Sequence, residues 1–352
     1  MNRNKSFPAS TIRIALEGIS LRRGTRAVLR EVNFEVPAGQ ITVLFGPSGV
    51  GKTTCLRLIA GFERPSAGVV KLGEEIVSSE TQWVPPRNRR VGFCFQEDAL
   101  WPALTAAEHI QIPLRTFMNN RDDIHRRTED ILNSMGLAAF ADRYPAQLSG
   151  GEKRRLALAR ALAMEPAYLL LDEPLSSVEG PMREELIRRL RECRSEDRAI
   201  LAVTHQLDEA LALGDRLVIL SGGRVVREGQ LCEVVRNPLN RDAAQLVGYR
   251  NYFSGRLENG TLISPFGHWI TNSAGVEKQI RLAAFPEDFR AWPDVQGEAI
   301  IQECRPSSRV YRVQAVCSTD CFEALAETML ETGQRARLRC VNPPAVLEDR
   351  PV

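Results

Sequence analysis

The chain has 352 residues, enough for two domains, and its 43% apolar and 26% charged content is that of ordinary soluble globular proteins. Its 46 basic residues nearly balance 44 acidic ones, leaving a formal charge of +2 and no argument for nucleic acid as a partner. No run approaches the roughly 18 apolar residues of a membrane span, Met1 to Ser10 lacks a signal peptide's apolar core, and eight cysteines without a C-x-x-C pair read as reduced thiols, so the chain is expected to stay in the cytosol.

From about Thr11 to Val36 apolar and polar residues alternate around a turn at Gly24, which predicts a small antiparallel sheet leading into the strand Ile41 to Phe45. That strand runs into Gly46-Pro47-Ser48-Gly49-Val50-Gly51-Lys52-Thr53-Thr54, a complete G-x-x-x-x-G-K-[ST] loop, with a helical Cys55 to Ala60 behind it. Such a loop holds phosphates. Its glycines let backbone N–H groups turn inward on an anion and the helix N-terminus adds partial positive charge, while Lys52 can reach the outer phosphates and the Thr53 hydroxyl can ligate Mg²⁺. Gly61 ends the helix, residues 68–73 read as a short strand and turn, and Arg89 to Phe95 as a strand that delivers Gln96. From Thr105 to Gln147 the pattern turns helical, as a helical subdomain inserted into an α/β core.

Leu148-Ser149-Gly150-Gly151-Glu152 then opens a helix over Lys153 to Met164. The aliphatic strand Tyr168 to Leu171 follows and ends in Asp172-Glu173, and in open α/β sheets ligands gather beyond the carboxyl ends of the strands. Pro181 starts a helix whose Met182, Leu186, Ile187 and Leu190 are expected to face the core. A buried strand, Ala199 to Val203, ends in Thr204-His205, and a hairpin over Arg216 to Leu220 and Arg224 to Arg227 closes the core. Past Asn237-Pro238 short alternating runs appear at residues 261–263, 279–282, 297–301, 309–317 and 336–340, as in a small β barrel.

Glu173, directly after a strand-terminal acid, is placed to act as general base toward a water while Asp172 holds Mg²⁺, although paired acids at a strand end can also merely cap a turn. His205 taken alone would read as a structural histidine; its place at a strand end after the acid pair favours the site.

The loop from Gly46 to Thr53, Gln96, the Leu148 to Glu152 stretch, Leu171-Asp172-Glu173 and His205, in that order, resemble the Walker A, Q-loop, signature, Walker B and switch histidine of the ATP-binding cassette (ABC) ATPases. The resemblance covers about residues 11–236. It implies an α/β phosphate-loop nucleotide-binding domain of ABC type, with the helical subdomain at about 97–160, and then a C-terminal OB-like β-barrel domain over 247–352. It implies ATP and Mg²⁺ as cofactors, with Gln96 contacting metal and water and His205 contacting the γ-phosphate. Ser149, Gly150 and Gly151 would bind the γ-phosphate held by a second cassette, giving a homodimer or paired cassettes.

Two positions depart from the family. Arg23 stands where an aromatic usually stacks on adenine, a contact a guanidinium can also make, and Ser176-Ser177-Val178-Glu179 replaces S-A-L-D. The loop at Leu100 and Trp101 is where the resemblance places docking of two membrane-spanning permease subunits, the alternative being that both pack into the helical subdomain. Residues 284–288, Ala-Phe-Pro-Glu-Asp, are similar to a segment in the C-terminal barrel of importer ATPases of the maltose, sulfate, polyamine and ferric-iron type, with Phe285 in place of Arg. The chain thus reads as the peripheral ATPase of a prokaryotic importer at the cytoplasmic face of the inner membrane, served indirectly by a solute-binding protein. Ferric iron is slightly favoured over polyamine, a sulfate-like anion or sugar. The contrasting reading, a soluble cassette acting on DNA or ribosomes, would call for a long heptad insert or two cassettes in one chain, and neither is present. Cys304, Cys317, Cys321 and Cys340 fit no zinc module and are expected to be buried free thiols; whether the barrel senses solute or only contacts its twin stays open.

Overall fold

The computed structural model describes residues 12–116, 118–176, 178, 180–271 and 278–347. It divides into two compact units, the first ending at Leu231 and the second starting at Cys232.

In the first unit β1 (Arg13–Arg23) and β2 (Arg26–Pro37) form a hairpin, and β3 (Ile41–Phe45) leads to α1 (Lys52–Ala60). β4 (Ala67–Leu72) and β5 (Glu75–Ser78) follow, then β6 (Val91–Cys94), α2 (Ala106–Leu114), α3 (Arg121–Ser134) and α4 (Gly150–Leu162). β7 (Tyr168–Asp172), α5 (Pro181–Glu192), β8 (Ala199–Thr204), α6 (Leu207–Leu213), β9 (Arg216–Ser221) and β10 (Arg224–Gln230) complete it. Two sheets result. One is four-stranded in the order β2-β1-β4-β5, and the other six-stranded in the order β10-β9-β3-β8-β7-β6. Within the second, β9, β3, β8, β7 and β6 run parallel and only β10 is antiparallel. Burial on both faces explains why β3, β7 and β8 read as near-continuous apolar runs.

Several expectations are adjusted. β6 begins only at Val91 because a one-turn helix over Pro86–Asn88 leaves Arg89 helical and Arg90 at φ 53°; the Arg89 side chain turns inward, donating to the carbonyls of Leu58, Ile59, Val77 and Val84. It thereby satisfies carbonyls at the end of α1, and burial pushes its pKa down to about 10. Helix α4 starts earlier than Lys153, at Gly150, because Ser149 and Glu152 form a capping box. On α5 only Leu186 and Leu190 are buried, and Met182 is 36% exposed.

The second unit holds most of α7 (Leu231–Arg236), which straddles the boundary, then α8 (Arg241–Leu246) and the strands β11 (Asn251–Glu258), β12 (Thr261–Ser264), β13 (Gly267–Ile270) and β14 (Lys278–Ala284). After these come β15 (Phe289–Pro293), β16 (Ala299–Ser307), β17 (Val310–Cys317), β18 (Asp320–Ala326), β19 (Arg335–Cys340) and β20 (Ala345–Leu347). The sequence suggested one small barrel. The strands make two assemblies, a closed barrel β15-β18-β17-β16-β19 and a five-stranded sheet β13-β12-β11-β14-β20. Phe253, Phe266, Phe289 and Phe322 fill the common core with ring centroids 4.7–6.5 Å apart. The eight cysteines are free, but of the four on the barrel strands only Cys340 is buried; Cys304 and Cys317 are half-buried and Cys321 is exposed, since successive side chains along a barrel strand alternate between the interior and the outside. Among the described residues no helix is long and apolar enough to cross a membrane, and no cluster of three or more His, Cys, Asp or Glu could hold a metal.

Candidate active site

Strands β3, β8, β7 and β6 are neighbours and parallel, so their carboxyl ends form one edge. Onto that edge they deliver, respectively, the Gly46–Thr54 loop, His205, Asp172-Glu173 and Gln96.

The loop's shape depends on its glycines. Gly46 has φ 159° and a Cβ there would lie 2.2 Å from the Leu220 carbonyl oxygen, while at Gly51, φ 113°, it would lie 2.6 Å from Leu29 Cδ2. Gly51 is also the N-cap of α1 and offers no side chain to it; the first turn of that helix carries no acid. Its first N–H groups are therefore open to an anion. Buried Lys52 curls back over the loop, Nζ donating to the carbonyls of Gly46 and Pro47 at 2.9 Å each. Burial lowers its pKa, and Glu173 and Asp172 oppose that shift. Pro47, Ser48 and Gly49 are exposed at the loop's crown, Thr53 is exposed, and Thr54 is buried within α1.

The Thr53 hydroxyl donates to Asp172 Oδ1 at 3.2 Å. Asp172 is buried, and desolvation pushes its pKa up, aided by Glu173 and opposed by the Thr53 hydrogen bond, Arg154 and Lys52. A hydroxyl and a carboxylate side by side are hard oxygen donors, the type Mg²⁺ takes alongside substrate phosphates. Glu173 has φ 46°, and its N–H donates to the Val203 carbonyl at 3.0 Å, tying it to the end of β8. Its carboxylate is held from two sides: Gln96 Nε2 donates to Oε2 at 3.0 Å, and His205 Nδ1 lies 2.8 Å from Oε1. Because a carboxylate only accepts, Nδ1 of His205 carries the proton. The His205 turn is fixed from beneath, where Thr204 Oγ1 donates to buried Glu209 Oε2 at 2.6 Å and accepts from the Gln206 N–H at 3.1 Å.

The sequence-identified residues Lys52, Thr53, Gln96, Asp172, Glu173 and His205 thus meet at one edge. Ser149, Gly150 and Gly151 stand elsewhere in the chain's local structure, at the start of α4, where the Ser149 hydroxyl accepts from the Glu152 N–H at 3.3 Å. Arg23 ends β1 and holds Glu63 at 2.5 Å, a carboxylate it shares with Arg57. Ser177 and Glu179 lie outside the described residues. Trp101 is 52% exposed, and its ring stacks on His109 at 5.9 Å with the Arg160 guanidinium over it at 5.7 Å; Leu100 is half-buried. Sequence reasoning missed Arg154 and His109, both fully buried beside this edge or its loops. For Arg154 a signal existed: Leu158 and Ala161, at i+4 and i+7, put it on the buried stripe of α4.

A phosphate-cradling loop with a lysine folded over it, a strand-end acid pair and two polar side chains around a carboxylate define a nucleoside triphosphatase of the phosphate-loop class. Residues 29–176 match the family model described as ABC transporter. The chain is 39% identical over 317 residues to a sulfate/thiosulfate import ATP-binding protein, CysA 2, of Agrobacterium fabrum, covering 88% of this chain and 90% of that one. It is 34% identical over 322 residues to the Fe(3+) ions import ATP-binding protein FbpC of Streptomyces avermitilis, covering 87% and 91%. Among solved structures, the dimeric post-hydrolysis state of the ATP-binding cassette MJ0796 bound to ADP and Pi matches with a TM-score of 0.56 and 30% identity, over 62% of this chain and 98% of that one. The chain belongs to the ABC transporter family, as an ABC ATPase.

Proposed function

We propose that this chain is the ATP-hydrolysing subunit of a prokaryotic ABC importer, with the nucleotide work in residues 11–236 and a regulatory barrel domain over 247–352. The observation that carries the enzymatic part is the Glu173 carboxylate suspended between Gln96 and His205 on the edge that also presents Lys52 and Asp172. ATP phosphates take the place of the Gly46 and Pro47 carbonyls on Lys52 and accept hydrogen bonds from backbone N–H groups that the loop offers between Ser48 and Thr54. Thr53, Asp172 and Gln96 would hold Mg²⁺, which would supply positive charge against the triphosphate. Glu173 accepts the proton of the attacking water, and His205, whose ring is fixed through Nδ1, orients that water and the γ-phosphate. Arg23 faces adenine after exchanging its Glu63 partner. Ser149, Gly150 and Gly151 supply anion contacts to a second copy's γ-phosphate, so the working form is a homodimer or a pair of cassettes.

The transport part is supported by the relatives, which carry import in their names, for sulfate/thiosulfate and for Fe(3+). The solute is a ferric-iron or sulfate-like species, delivered by a solute-binding protein to two membrane permeases that dock near Leu100 and Trp101 at the cytoplasmic face of the inner membrane. An indole half open to solvent, ringed by Arg160 and His109, suits a docking contact. Purification from membranes through a tag on this chain, repeated with Trp101→Ala, tests the reading. Two multi-span partners that are lost with the substitution support it, and recovery with ribosomes or DNA and no membrane partner overturns it.

A further inference from the structure

Arg154 lies one turn into α4, and its side chain is only 4% exposed. A buried guanidinium is costly unless its donors are matched, and here all of its nitrogens are. Nε donates to the Pro174 carbonyl at 3.0 Å, and Nη2 to the carbonyls of Asp172 at 2.8 Å and Glu173 at 2.7 Å. Nη1 donates to the carbonyls of Phe95 and Gln96 and to Asp98 Oδ1, the last two at 3.3 Å. One planar group therefore clamps two backbone segments, residues 95–98 beyond β6 and residues 172–174 at the end of β7.

Neither segment would hold that shape unaided. Glu173 sits at φ 46°, and Ala99, next along the other segment, at φ 48°. Such non-glycine left-handed positions cost about 1–3 kcal/mol each and persist where surroundings over-determine them. Arg160, nearly two turns further along α4, continues the clamp by donating to the carbonyls of Asp98 at 3.0 Å and of Ala99. The chain then reaches Trp101, whose N–H donates to buried His109 Nε2 at 2.9 Å. A lysine could not reproduce this, because a single ammonium lacks the fork that spans both segments.

We propose that Arg154 is a positioning residue that fuses the Gln96–Asp98 loop and the Glu173 turn into one mechanical unit, so that a displacement of the loop at Trp101 moves the Glu173 carboxylate relative to its water. This rests on the reading of Glu173 as the base. Movement at a docking surface would then be read at the hydrolytic centre through two or three hydrogen bonds rather than through a shift of the whole sheet.

The test uses the full chain as Arg154→Gln, Arg154→Lys, Asp98→Asn and Glu173→Gln, with kcat, KM for ATP, ATP affinity and amide exchange at residues 95–98 and 172–175. Both Arg154 variants are expected to lower kcat on the order of 10²-fold with ATP affinity kept within about threefold, since misplacing a reacting group by about 1 Å costs that much. Amides of the two segments should exchange faster together. Asp98→Asn, a gentler change that leaves the guanidinium in place, should give the same pattern with a loss of roughly fivefold. A kcat within about twofold of the parent in Arg154→Gln or Asp98→Asn, affinity falling in step with kcat, or faster exchange in only one segment would each overturn the inference. Glu173→Gln separates the two claims. If it turns over like the parent the base assignment fails, and if it is inactive while the Arg154 and Asp98 variants are normal, the positioning claim alone fails.

Discussion

The two units treat buried polarity in opposite ways. In the first, Lys52, Arg89, Arg154, Asp172 and Glu209 are all charged and buried, whereas in the second the buried polar side chains among the described residues are Asn251 and Ser264, both neutral. Asn251 on β11 pairs with the backbone of Glu323 on β18, its amide donating to the Glu323 carbonyl at 2.8 Å and its oxygen accepting the Glu323 N–H at 2.7 Å. Burying charge costs several kcal/mol unless partners are supplied; Arg89 is matched by carbonyls at the end of α1, whereas Lys52, Arg154, Asp172 and Glu209 lie on or beneath the edge where the candidate site is built. The barrel unit, by contrast, is a hydrophobic construction around four phenylalanines, and its stability needs no such site.

Breaking each unit at its centre should separate stability from chemistry. Phe322, 2% exposed at the middle of the aromatic cluster, leaves a cavity when changed to Ala, and the second unit should lose about 3–5 kcal/mol with ATP turnover per folded molecule kept within about twofold, read by calorimetry and steady-state assay. Lys52→Ala should do the reverse, lowering turnover by roughly 10²–10³-fold while the melting temperature of the nucleotide-free chain changes little, because the desolvation cost of a buried ammonium is removed along with its bonds to two loop carbonyls and its attraction to Glu173 and Asp172. Asp172 gives the smallest and most diagnostic effect. Its folded pKa is raised by burial, so the folded chain binds that proton more tightly than the unfolded one, and stability present below the unfolded value is lost as pH rises through the folded one. Asp172→Asn should therefore raise the neutral-pH melting temperature by about 1–3 °C, abolish that part of the acid-range pH dependence, and still depress turnover.

How much of this could be read beforehand follows the same division. The phosphate loop was legible because glycine spacing there is dictated by backbone geometry, as the clash of any Cβ at Gly46 with the Leu220 carbonyl makes plain. Gln96, Glu173 and His205 were legible because each follows an apolar run that had to be a buried parallel strand, and parallel strands put their carboxyl ends together. Arg154 was missed because Lys153-Arg154-Arg155 reads as a solvated helix face; its i+4 and i+7 neighbours Leu158 and Ala161 hinted at burial, but its partners are two loops that approach from β6 and β7. Met182 misled for a related reason: a helical stripe identifies which side is apolar but not where the core stops. In the second unit the short alternating runs gave strands without partners, so a closed barrel and a separate sheet could not be distinguished from one barrel.

The most direct test of the hydrolytic assignment is the turnover of Glu173→Gln at saturating ATP, with bound nucleotide measured on the same sample. Loss of the general base at unchanged shape should lower turnover by about 10²-fold or more while ATP stays bound. Turnover equal to the parent, with ATP bound, would contradict the role given to the carboxylate between Gln96 and His205.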